Sequence, residues 1–135
     1  METCIDTNVL IYVLDASSPF SKWAGNLMYQ QLQLGDLVID PMVYSEVSVG
    51  FETVALLDAT LLRLGVALVQ PSTRALFNAA RAFSVYKSRG GTKTNVLPDF
   101  LIGANALDRG ATLITRDPAR YRTYFPDLKL IAPDL

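Results

Sequence analysis

Asp6, Glu46, Asp99 and Asp117 stand far apart in a chain of 135 residues, yet each lies where an α/β fold gathers side chains. Cys4-Ile5-Asp6-Thr7-Asn8 is a short apolar run that stops on an acid, with the helical run Val9 to Leu14 beginning at once. Asp6 therefore falls at the carboxyl end of a strand, the edge of an open sheet where ligands bind. Leu113-Ile114-Thr115-Arg116-Asp117 repeats the pattern, and the two acids meet if the first and fourth strands are neighbours. Glu46 falls one or two turns into the helix after the second strand, and Asp99 at the start of the helix before the fourth. The helical neighbours of Glu46, namely Met42, Val43, Val49 and Gly50, predict an inward-facing acid, which has to be paired or bound to a cation. Asp58 has equally apolar neighbours, so that pattern alone does not select Glu46.

Carboxylates crowded into one site repel, and a divalent cation relieves the repulsion. The chain has no histidine and one cysteine, Cys4. Serine-type triads and His-ligated zinc are thereby excluded, and an oxygen-only site points to Mg²⁺, with Mn²⁺ possible. Such an ion activates water and neutralises phosphate charge during in-line attack, so hydrolysis of a phosphodiester is the consequent chemistry. Thr7, Asn8 and Thr115 are short polar groups suited to orienting carboxylates or a bound water. Each acid also has an ordinary structural explanation. Asp6 suits a helix cap, Asp99 a charge at a helix amino terminus, and Asp117 before Pro118 a turn. Asp40, at the end of the second strand, is explained by capping the helix that Pro41 opens.

The elements that would carry these residues follow one grammar of helix, glycine and apolar strand. It appears at Leu34-Gly35 before Asp36 to Asp40, at Leu64-Gly65 before Val66 to Val69, and at Arg109-Gly110 before Ala111 to Thr115. The glycines suit left-handed helix caps, and the apolar runs suit strands covered on both faces. With a first strand at Thr3 to Asp6 and a last one at Lys129 to Ile131, this predicts α/β architecture. It is a single domain over 1–135, a three-layer α/β/α arrangement about a central, mainly parallel sheet of about five strands. Between the strands, Ser18 and Pro19 predict a helix start, with Phe20, Trp23, Ala24, Leu27 and Leu34 on one buried face. A helix from Thr53 to Leu64 is rich in leucine, with Leu56, Leu57 and Leu61 available for a subunit interface. A helix from Thr73 to about Lys87 is expected to bury Leu76, Ala79, Ala80 and Phe83.

Half of the residues are hydrophobic and 19% are charged, a composition that folds rather than stays disordered. No apolar run has the length of a membrane span, and Met1-Glu2-Thr3 lacks the character of a secretory signal, so a cytoplasmic protein is expected. The net charge of −1 hides a division. Up to Asp58 the acids prevail, with Lys22 alone on the positive side. From Ala59 to Pro98 there is no acid, while Arg63, Arg74, Arg81, Lys87, Arg89 and Lys93 are all present. The polar loop from Arg89 to Asn95 makes Lys87, Arg89 and Lys93, with Arg116 near the fourth strand, the expected contacts to phosphates. Arg63, Arg74 and Arg81 read as solvated helix faces.

Four segments together carry a resemblance. They are Ile5-Asp6-Thr7-Asn8-Val9-Leu10, Ser45-Glu46, Leu97-Pro98-Asp99-Phe100-Leu101-Ile102-Gly103-Ala104-Asn105-Ala106 and Leu113-Ile114-Thr115-Arg116-Asp117. In this order and spacing they resemble PIN-domain ribonucleases, especially the VapC-type toxins of toxin-antitoxin pairs. The resemblance implies a metal-dependent endoribonuclease acting on RNA, with Asp6, Glu46, Asp99 and Asp117 as the acidic metal site and Asn8 and Thr115 in support. It further implies a homodimer and a cognate antitoxin. Asn105 departs from the motif, which often carries histidine there. A catalytically idle PIN-like RNA-binding or scaffolding module is the competing expectation. A Mg-dependent phosphatase of the haloacid-dehalogenase type fits less well, because it needs an acid where Asn8 stands.

Overall fold

Short apolar runs become strands because β-rich segments in the middle of a parallel sheet are covered on both faces, and polar residues end them where the chain must turn. In the computed structural model, which describes residues 1–93 and 96–133, the first such run is β1, Glu2–Ile5. Asp6 ends it with extended backbone and caps α1, Thr7–Leu14. Helix α2, Ser21–Leu34, leads to β2, Asp36–Ile39, and Asp40 then caps α3, Pro41–Ser48, with proline in its first turn. Thr53 caps α4, Val54–Leu64, which Gly65 closes at a left-handed φ of 73° before β3, Val66–Leu68. Ser72 caps α5, Thr73–Ser88; there follow α6, Leu97–Asp108, β4, Thr112–Ile114, α7, Ala119–Tyr124, and β5, Lys129–Ile131.

The five strands form one all-parallel sheet in the order β3-β2-β1-β4-β5. The order reverses at β1, which makes the crevice above β1 and β4 the switch point of the fold. Cys4 lies opposite Leu113 and Ile5 opposite Ile114. The ladder runs one residue further, since the Asp6 amide donates to the Ile114 carbonyl at 3.0 Å and the Thr115 amide to that of Ile131 at 3.0 Å. Asp6 and Thr115 are thereby held side by side by backbone alone. Right-handed crossovers on either side of β1 put helices on both faces of the sheet. The core is made by Ile5, Leu37, Val38, Ile39, Leu113 and Ile114 from the sheet, with Val9, Leu10 and Phe100 from the helices.

Several local expectations are corrected. Ser18 does not start a helix: its hydroxyl accepts from the Phe20 amide in a turn, and α2 begins at Ser21, with Leu34 exposed at its far end. Gly35 is not a left-handed cap, because its φ of 166° is ordinary extended backbone; a Cβ there would lie 1.6 Å from the Met1 carbonyl oxygen. β3 is an edge strand, and Ala67 and Leu68 are exposed rather than covered on both faces. Helix α5 buries Ala75 and Ala79 instead of Leu76 and Ala80, since its inward stripe begins one position earlier. Leu57 and Leu61 belong to the core and are not free for a subunit interface, whereas Leu56 is exposed. In the basic loop, Thr94 and Asn95 lie outside the described residues.

Candidate active site

Asp6, Glu46, Asp99 and Asp117 line one polar cavity of about 100 Å³, together with Thr7, Asn8 and Tyr121. The cavity lies where the ends of β1 and β4 meet the beginnings of α1 and α6. Asp6, at 9% exposure, forms its floor. One of its oxygens, Oδ1, accepts from the Thr7 amide at 2.8 Å; the other, Oδ2, accepts from the Thr115 hydroxyl at 2.7 Å and the Tyr121 hydroxyl at 3.1 Å. The two threonines extend this wiring to the other acids. Thr7 Oγ1 donates to Glu46 Oε1 at 2.8 Å, and Thr115 Oγ1 accepts from the Asp117 amide at 3.2 Å. Thr7, Asn8 and Thr115 were expected beside the acids; Thr7 and Thr115 hold carboxylates, and Asn8 lines the cavity from the start of α1.

Glu46 reaches the cavity by a different route from the one its neighbours predict. Helix α3 ends at Ser48, so Val49 and Gly50 lie beyond it and are exposed, and only Val43 of the expected apolar set is buried. Glu46 itself is exposed and comes in from the rim. Asp58, the equally eligible acid, accepts instead from the Tyr44 hydroxyl at 2.6 Å on the outer surface. Asp40 caps α3 through Oδ1, which accepts from the Val43 amide at 2.9 Å, while its Oδ2 is buried without a partner among the described residues.

Burial sets the electrostatics. Desolvation raises the Asp6 carboxyl above the ordinary carboxylate range, and Thr115, Thr7 and Tyr121 offset this only in part, while the charge of Glu46 adds to it. The Asp99 carboxyl is pushed up to about 6 by burial and then by the charge of Asp6, against the pull of Arg120. Asp40 is raised by burial first, with Asp6 and Glu46 contributing repulsion. The Tyr121 hydroxyl is raised by burial and by Asp6, and stays a donor. A site in which several acids resist ionisation is one that a cation would relieve, and its donors are all oxygen, so the residues fit a hard divalent ion in kind. Among the described residues, no three acids converge closely enough to hold such an ion as they stand. Asp99 is turned to Arg120, and Asp117 leaves 73% of its side chain in solvent.

Arg120 and Tyr121 are site residues that the sequence did not disclose. Both lie on α7, which packs against α6 because residue 103 is glycine: a Cβ there would come within 2.7 Å of the Phe125 ring and 3.0 Å of that of Tyr121. Their one signal is position, a few residues after Asp117, and it does not separate Tyr121 from Tyr124. Of the expected phosphate contacts, Lys87, Arg89 and Lys93 are exposed and none lines the cavity. Arg89 and Lys93 are moored to the same aromatic cluster as α7, with the Arg89 guanidinium 5.6 Å from the centre of the Tyr124 ring and the Lys93 amide donating to the Tyr86 hydroxyl at 3.2 Å. Arg116 lies 4.5 Å over the Phe20 ring and 3.7 Å from Asp117. A broader, mostly apolar cavity of about 760 Å³, lined by Ile11, Leu14, Val47 and Phe51 among others, shares Thr7, Asn8 and Glu46 with the acidic one.

A family model described as PIN domain matches residues 3–126. Among curated proteins none matches the sequence significantly. The chain is similar in structure to VapBC2 from Rickettsia felis bound to a DNA fragment from its promoter, with a TM-score of 0.76 and 19% identity over 99% of this chain and 100% of the other. It is similar to VapBC-1 from nontypeable Haemophilus influenzae, with a TM-score of 0.72 and 20% identity over 98% of each chain. VapC20 from Mycobacterium tuberculosis, a sarcin-ricin loop cleaving toxin, gives a TM-score of 0.60 and 13% identity over 94% of this chain and 98% of the other.

Proposed function

The chain belongs to the PIN-domain family, and from that premise we propose that it is a metal-dependent endoribonuclease, the VapC-like toxin of a toxin-antitoxin pair, folded as a single domain over 1–135. The observation that carries the reading is the cavity shared by four acids remote along the chain, two of which, Asp6 and Asp99, burial makes reluctant to ionise. Asp6, Asp99, Asp117 and Glu46 would hold Mg²⁺ or Mn²⁺, which when bound supplies an activated water and neutralises phosphate charge. Asp6 anchors the set from the floor, where Thr115, Thr7 and Tyr121 fix both of its oxygens. Thr7 keeps Glu46 aimed at the cavity, and Asn8 orients water at its mouth. RNA phosphates are met by Lys87, Arg89 and Lys93 from the loop after α5 and by Arg116.

The partner side of this reading is a cognate antitoxin and a homodimer, in the cytoplasm. It draws support from the similarity to VapBC complexes and from the fact that no helix among the described residues is long and apolar enough to cross a membrane. A second reading, an idle PIN-like module that binds RNA or a scaffold, draws on the ion pair by which Arg120 already occupies Asp99. Cleavage of total RNA in Mn²⁺ or Mg²⁺, set against the same reaction in EDTA, separates the two. Metal-dependent cutting that disappears in Asp6→Asn is expected. Absence of cutting by the unaltered protein, or undiminished cutting by Asp6→Asn, removes the nuclease reading.

A further inference from the structure

Asp99 has a partner before any cation arrives. Arg120 Nη1 donates to Asp99 Oδ2 at 2.5 Å, from the first turn of α7 across to the first turn of α6. A divalent ion on Asp99 would neutralise the carboxylate and repel the guanidinium beside it, so the two cations compete for this group. The pair is also open to exchange, with the Arg120 side chain 27% and the Asp99 side chain 37% exposed, and part-exposed ion pairs hold weakly. The backbone beneath it is not open to exchange. Tyr121, the next residue, is buried and hydrogen-bonded to Asp6, and Phe125 packs against Gly103, so α7 stays in place while the Arg120 side chain is free to turn.

Four acids face the path of a polyanion, so a cation from the protein is needed beside them when RNA binds. Among the described residues, two basic side chains are joined to acids of the cavity, Arg116 to Asp117 and Arg120 to Asp99. Arg116 is held over the Phe20 ring with its Nε buried, so it can meet a phosphate only from where it stands and not by swinging into the cavity. Arg120 has no aromatic partner among the described residues, and its planar fork matches a phosphate in two-point contact.

We propose that Arg120 is a two-position residue that holds Asp99 in the metal-free protein and turns to an RNA phosphate when a divalent cation takes that carboxylate. This rests on the nuclease reading above. Arg120 thereby keeps the acidic wall from repelling itself apart before loading, and presents its charge to substrate only after loading. Metal and RNA are coupled through one side chain, so each should favour the binding of the other.

The test compares the intact protein with Arg120→Ala and Arg120→Lys in two measurements. In the first, Mn²⁺ is titrated by calorimetry without RNA. Loss of the competing guanidinium should make Arg120→Ala bind Mn²⁺ about two- to fivefold more tightly, the size expected of a part-exposed ion pair. In the second, a labelled RNA stem-loop is mixed with Mn²⁺-loaded protein, and anisotropy is read by stopped flow before cutting. Arg120→Ala should bind RNA about tenfold more weakly, with a salt slope lower by about one. Arg120→Lys should keep the slope and lose part of the affinity, because it retains the charge but not the fork. Mn²⁺ affinity that is unchanged or weaker in Arg120→Ala overturns the proposal, as does RNA affinity equal to that of the intact protein. Should Arg120→Ala lose its cooperative melting in EDTA, Arg120→Gln takes its place in both measurements. An intact protein that binds no Mn²⁺ at all sinks the nuclease reading itself, a result distinct from either failure.

Discussion

At the floor of the acidic cavity Asp6 is 9% exposed and both of its oxygens accept hydrogen bonds, whereas at the rim Asp117 keeps 73% of its side chain in solvent and is joined only loosely to Arg116. Glu46 shares the rim, exposed and held by a single hydroxyl. On the nuclease reading proposed above, the two regions would divide the work of a site that has to be both fixed and loadable. Backbone pairing and three donors determine where the floor carboxylate sits, yet they do not cancel the desolvation that raises it. The rim acids sit in solvent, where adjustment onto an incoming ion is inexpensive. Asp99 lies between the two, half-buried and bridged to Arg120.

If that contrast holds, the floor should be far less tolerant than the rim. Asp6→Asn should lower metal-dependent cleavage by more than the roughly 10- to 100-fold typical of residues standing behind metal ligands, and by more than Asp117→Asn does. Equal losses from the two variants, measured on one RNA at saturating Mn²⁺, would break the comparison. Next in size are the donors to Asp6. Tyr121→Phe and Thr115→Val should each cost about tenfold or more in Mn²⁺ affinity with the fold retained, and their effects should be less than additive because they share one oxygen.

The pH dependence is smaller and has a definite sign. The Asp99 carboxyl is raised in the folded protein from its ordinary 3.8 to about 6, so folding binds its proton more tightly than the unfolded chain does. Its contribution to stability is complete below pH 3.8 and is lost as pH rises through about 6. In EDTA the melting temperature should therefore fall across that window, and Asp99→Asn should flatten the fall. With Mn²⁺ present the trend should reverse, since ionised carboxylates are the binding form. A melting temperature in EDTA that climbs through this window would show that the interior of the cavity is not the strained region. The smallest effect belongs to the loop beyond the rim. Reversing charge at Lys87, Arg89 and Lys93 should weaken RNA binding and reduce its salt slope by about one per phosphate contact, leaving Mn²⁺ affinity unaltered. An unchanged slope would make these residues solvated surface only.

The strands were legible because apolar runs ending on polar residues leave few alternatives, whereas the adjacency of β1 and β4 stood only as a condition until the strand order met it. The Asp40 cap rests on equally local chemistry. Helix faces were less legible. The pattern around Glu46 promised a buried acid, but the promise depended on α3 continuing past Ser48, and a short helix leaves Val49 and Gly50 in solvent. The leucines of α4 looked equivalent in sequence, and only packing separates buried Leu57 and Leu61 from exposed Leu56. Arg120 and Tyr121 carried no mark of their role, since a basic residue and a tyrosine in a short helix are ordinary.

What the sequence determined by itself is which residues end the strands of a parallel sheet, and hence that Asp6 and Asp117 come to one edge, because strand direction and connection handedness are properties of the local chain. Tertiary structure alone decided which groups meet those acids there. Tyr121 on Asp6 and Arg120 on Asp99 depend on how closely α7 can approach α6 over Gly103, a distance set by side chains far apart along the backbone.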